Sequence, residues 1–79
     1  MKQYKEGDEV WVFNYSRAPK LVTIDHVDKN SLMVFGYYVK DEGRREYVTP
    51  STVFDDVEKV KDEVRNQITY LQRFLAWTN

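Results

Sequence analysis

The pattern of hydrophobic and polar positions changes its period once along this chain. Up to residue 54, apolar residues fall in short β-branched and aromatic runs separated by turn residues. From residue 55 they recur at every third or fourth position. The first pattern predicts strands and the second an amphipathic helix.

Gly7-Asp8 marks a turn, and Val10-Trp11-Val12-Phe13 follows as a first strand. Residues 14–19 read as a loop, with Asn14, Ser16 and Pro19 as its turn formers. A second strand is predicted over residues 20–27. The tight hairpin signal Asp28-Lys29-Asn30-Ser31 follows it, with Asn30 suited to positive φ. Residues 32–40 read as the third and longest strand, Asp41-Glu42-Gly43 as the next turn, and residues 44–49 as a fourth strand ended by Pro50. Residues 51–54 predict a 3₁₀ turn or a minimal fifth strand. In the third strand Leu32, Val34 and Tyr38 oppose Met33, Phe35, Tyr37 and Val39, so both faces are apolar and both need cover.

Asp55 followed by Glu58 forms an acidic variant of the capping box. Val57, Val60, Val64, Ile68, Leu71 and Leu75 then lie on one stripe. With no Gly or Pro between residues 56 and 77, a single helix of about 33 Å is predicted. Its aliphatic stripe is the element available to cover the outer sheet face. The expected architecture is mainly β with one C-terminal α-helix: a five-stranded small barrel over residues 5–54, packed by a long helix over residues 55–77, in one domain spanning residues 1–79.

The opening Glu6-Gly7-Asp8-Glu9-Val10-Trp11-Val12 resembles the first strand of SH3-like barrels of the KOW and Tudor type. The two strands that follow continue that pattern over roughly residues 5–60. The run from Tyr47-Val48 through Val53-Phe54 into an acidic helix start looks like the layout of small uncharacterised phage and bacterial proteins. The KOW name implies a nucleic-acid role, but no glycine follows the second strand as it does in that element, and such a fold hosts many functions.

Chemistry is sparse. There is no cysteine to form a disulfide, bind a metal or attack a substrate. His26, the lone histidine, stands near Asp25 and Asp28 but lacks a second nitrogen or sulfur ligand. Asp55, Asp56 and Glu58 suit a helix N-terminus better than a metal site. Ser16, Ser31 and Ser51 have no basic partner nearby, and the three glycines form no phosphate-binding loop. These residues predict no catalytic group, no metal and no cofactor, hence no enzyme. Twelve basic and thirteen acidic residues nearly cancel, so no global field draws the chain to nucleic acid or an anionic membrane. The charged N-terminus and the lack of a long apolar run predict a cytoplasmic protein with no membrane partner.

Two binding surfaces remain. Eight of the eleven residues 55–65 are charged, whereas Arg73 is the only charged residue in 66–79. There Tyr70, Phe74 and Trp77 form a second stripe, roughly 100° around the helix from the aliphatic one. A barrel about 20–25 Å across is too short to cover the whole helix. The expected role is therefore protein–protein binding through this end, with a protein partner or a second copy in a homodimer. The alternative is a nucleic-acid-binding barrel using Arg17, Lys20, Arg44 and Arg45, with Tyr15, Tyr37, Tyr38 and Tyr47 as stacking platforms. An aromatic cage for a methylated lysine, built from Trp11, Tyr15 and Tyr37, is a further option.

Overall fold

The structure, a computed structural model, describes residues 3–78. Five antiparallel strands form one curled sheet: β1 (Glu9–Val12), β2 (Lys20–Asn30), β3 (Met33–Asp41), β4 (Arg44–Val48) and β5 (Val53–Phe54). A 3₁₀ turn over Pro50–Thr52 leads into β5, and the helix α1 spans Val57–Thr78. The sheet order is β4-β3-β2-β1-β5. Among the described residues β4 and β5 do not pair, so the sheet is barrel-like but not closed.

The turns follow from local chemistry. Asp8 Oδ2 accepts from Lys5 N (3.0 Å) and Gly7 supplies φ of 90° ahead of β1. Glu42 and Gly43 both take positive φ, as a type I′ hairpin between strands of right-handed twist requires. The first hairpin turns later than the sequence indicates. β2 runs on through Asn30, and the residue with positive φ is Ser31.

The inward faces of the strands make one core of Val10, Val22, Ile24, Tyr37, Val39, Val48 and Val53. Tyr4, Val12, Val27 and Val34 pack on its margin. Two bulges interrupt the β2–β3 alternation. Asp25 is the extra residue on β2, and Phe35 is the extra residue on β3. The second bulge puts Val34 on the same side as Tyr37 and Val39, and turns Phe35 outward. On the outer face Gly36 lies under the Tyr47 ring. A Cβ there would stand 2.4 Å from the Tyr47 hydroxyl and 2.8 Å from the Val48 carbonyl oxygen, so only glycine fits.

The helix departs from expectation in two respects. Its N-cap is Asp56, whose Oδ1 accepts from Glu58 N (2.9 Å); Asp55 instead pairs with Lys59 (3.0 Å). It also does not cover the outer sheet face. Val60 is its one buried residue (3% exposed), while Val57, Ile68, Leu71 and Leu75 of the same stripe are exposed. The reason lies in the connection. Asp55 and Asp56 alone join β5 to α1, so the helix starts at the sheet edge and has no length of loop with which to turn back across it. Outer-face residues cover one another instead: Trp11 lies opposite Leu21 in the β1–β2 register, and the Tyr38 and Tyr47 rings meet at 5.1 Å.

Candidate functional site

The helix is attached by its first two turns. Besides the buried Val60, the Tyr15 hydroxyl donates to Glu63 Oε2 at 2.7 Å. That bond, reinforced by partial desolvation, raises the Tyr15 pKa above its ordinary value. Tyr15 takes φ of 70°, an unusual conformation for a bulky residue, while Asn14 Oδ1 accepts from Ser16 N to shape the loop. The Tyr15 ring also packs on Phe13 at 4.5 Å between centroids. Sequence patterning carries no signal for the Tyr15–Glu63 contact, because it joins residues 48 positions apart.

The helix carries two kinds of exposed surface. Side-chain ion pairs along it join Asp55 to Lys59, Glu58 to Lys61 (3.3 Å) and Asp62 to Arg65 (2.9 Å). Among the described residues, none of its ion pairs lies beyond Arg65. Beyond Arg65 the helix carries the single charge of Arg73, and its large apolar side chains stand in water: Tyr70 is 68% exposed, Phe74 54% and Trp77 86%, and with Arg73 they line one shallow groove. The three residues expected as an interface thus lie side by side and free of the sheet, and Ile68, Leu71 and Leu75 are exposed beside them.

The four basic candidates gather at one end of the sheet. Arg17, Arg44 and Arg45 line a common depression together with Asp41 and Glu46. Carboxylates are interleaved with them: Arg17 pairs with Glu46, Lys20 with Asp41 (2.7 Å), and Arg45 with Asp25 (3.0 Å). The Lys20 pKa is raised, chiefly by its hydrogen bond to Asp41. The Asp25 bulge aims one carboxylate at both Arg45 and Lys40 (3.7 Å), a placement that strand alternation does not show.

The tyrosines divide. Tyr38 and Tyr47 are on the outer face, with the Arg45 guanidinium 4.4 Å from the Tyr38 ring centre. Tyr37 is 1% exposed and is core, its hydroxyl accepting from Tyr4 N at 3.3 Å. Tyr37 therefore cannot serve as a stacking platform, and the cage of Trp11, Tyr15 and Tyr37 does not form, since its members belong to the outer face, a loop and the core. His26 is exposed, with Nδ1 3.5 Å from Glu6 Oε1. Among the described residues no three His, Cys, Asp or Glu side chains are placed to hold a metal ion, and no helix is long and apolar enough to cross a membrane.

One apolar feature escapes the sequence pattern. Leu32, Met33 and Phe35 are all exposed at the tip of the β2–β3 hairpin. The Phe35 bulge and the Ser31 turn place them there, and neither has a distinctive residue signature. Comparison with protein-family models finds no match, and none is found among curated proteins or solved structures.

Proposed function

We propose that this chain is a non-enzymatic interaction module in which a small SH3-like barrel presents the distal half of its helix, residues 66–78, to a protein partner. The observation that carries this reading is the exposure of Tyr70, Phe74 and Trp77 on a segment whose single charge is Arg73. Tyr and Trp anchor interface centres, where charged residues are depleted. The segment also lacks support of its own. An isolated helix is marginal in water at this length, and the stabilising ion pairs stop at Arg65. A partner covering the apolar side would supply what neither the sheet nor the helix does. The strand order and the 3₁₀ turn ahead of β5 support the SH3-like assignment. A phage-type or bacterial accessory protein of the cytoplasm is the setting this reading implies.

The test is the double substitution Phe74→Ser, Trp77→Ser. Neither side chain is buried, so the stability of the sheet is expected to change by no more than the roughly 0.5 kcal/mol of an ordinary surface substitution. Association is expected to be lost. A variant that unfolds would show the rings to be core.

A second reading, the nucleic-acid-binding barrel, draws on the convergence of Arg17, Lys20, Arg44 and Arg45 beside Tyr38 and Tyr47. The carboxylates interleaved with those cations weigh against it, because phosphate binding needs a local excess of positive charge. Oligonucleotide binding that weakens steeply with salt distinguishes it from the first reading.

A further inference from the structure

The apolar positions of the distal helix are symmetric along the chain. Ile68, Tyr70, Leu71, Phe74, Leu75 and Trp77 are the exposed large apolar residues of that half. Reversing the order about the point between Gln72 and Arg73 exchanges 68 with 77, 70 with 75 and 71 with 74. The set maps onto itself with no member left over. In an antiparallel two-fold pair centred there, each of the six finds an apolar mate on the other copy, Leu71 beside Phe74, Ile68 beside Leu75 and Tyr70 beside Trp77, so the patch is complementary to itself as an isologous contact requires.

The helical geometry gives the pattern a definite packing. Written as a heptad, Val57, Val64, Leu71 and Thr78 take position a, and Val60, Gln67 and Phe74 take position d. In an antiparallel pair centred between Gln72 and Arg73, each Leu71 stands level with Phe74 of the other copy, so the central layers join an aliphatic to a ring. Ile68 and Leu75, at position e, line one flank. Tyr70 and Trp77, at position g, line the other. Arg73, at position c, points to water, and the ion-paired half up to Arg65 lies outside the overlap. Gln67 and Thr78 meet in the outer layer. The overlap covers residues 67–78, a length of about 18 Å.

Area supports a second copy as the occupant. At about 200 Å² for each fully exposed aromatic side chain, the three rings hold about 400 Å² in water. Two copies, with Ile68, Leu71 and Leu75 added, would have to bury nearly all of this exposed area to reach the roughly 1,200 Å² lower limit of specific interfaces, so the contact is at the small end of that class. A patch of this size is large for a monomer.

From this symmetry we infer that the distal helix pairs with a second copy of the same chain, antiparallel, with its two-fold axis between Gln72 and Arg73. The inference rests on the docking role proposed above and names the partner. The chain has no cysteine, so single cysteines report on register. In this pairing Gln67 and Thr78 of opposite copies are level, while like positions are about 16 Å apart along the axis, too far for a disulfide. Mixing a Gln67→Cys chain with a Thr78→Cys chain under mild oxidation is expected to give the mixed disulfide, with like-with-like products at background. Efficient linking of each variant to itself would mean parallel pairing and would overturn the inference.

Sedimentation of the unsubstituted chain, from micromolar to near-millimolar, accompanies this test, with acrylamide quenching of Trp77 in a Trp11→Phe chain. A concentration-dependent dimer in which Trp77 becomes shielded supports the inference. A monomer throughout with Trp77 freely quenched overturns self-pairing but leaves the docking role standing. A monomer with Trp77 shielded overturns both.

Discussion

Tyr37→Ala is expected to lower stability by about 3–5 kcal/mol, the cost of emptying a buried aromatic site. Tyr37 is the largest fully buried side chain, at 1% exposure, and it packs edge-on against Tyr4 at 5.7 Å. A chain of this length has a total stability of about 4–12 kcal/mol. The substitution therefore removes a large share of it, and the melting temperature should fall by roughly 12 °C or more. Its neighbour is the control. Tyr38 lies on the other face of the same strand, where it meets Arg45 and Tyr47, and Tyr38→Ala should cost about 1 kcal/mol. Thermal unfolding followed by near-ultraviolet circular dichroism compares the two. Equal losses would mean that the outer face is as buried as the core.

The second large effect is Val60→Asp. This is the one helix position closed off from water, and an unpaired carboxylate there costs about 3 kcal/mol or more. The loss should appear first in the helix, because Val60 is the apolar part of the anchor and the Tyr15–Glu63 bond is its polar part. Far-ultraviolet dichroism at 222 nm should drop while the sheet keeps its near-ultraviolet signal. The same change at Leu71, half a helix away and exposed, should leave the sheet's melting temperature in place. If Leu71→Asp lowered stability as much as Val60→Asp, the helix would have to pack along its whole length.

The sequence shows the elements of this fold and withholds their mutual placement. Gly7-Asp8, Asp41-Glu42-Gly43 and Pro50 mark strand ends because their local chemistry leaves little choice. The helix is legible because its period persists for six turns. The inside and outside of β3 are not legible. Strict alternation groups Val34 with Tyr38, but the unpaired Phe35 shifts the phase and sends Val34 to the side of Tyr37. The same effect at Asp25 brings one carboxylate between Arg45 and Lys40 and alters the charge of the basic end. The direction of the helix is set by a two-residue connection and one tyrosine hydrogen bond, neither of which has a periodic signature. The exposed aromatic stripe is legible for the opposite reason. Tyr70, Phe74 and Trp77 recur at helical spacing just beyond the charged half of the helix, a composition break that the sequence shows directly.

Amide hydrogen exchange across a dilution series tests most directly whether the distal helix is a docking face independent of the sheet. At the lowest concentration the amides of residues 66–78 should exchange rapidly, while those of β2 and β3 stay protected. Protection of 66–78 should then rise with concentration and that of the sheet should not. Strong protection of residues 66–78 at every dilution, in a species of monomer mass, would contradict the account, because it would mean that the aromatic stripe packs against its own sheet.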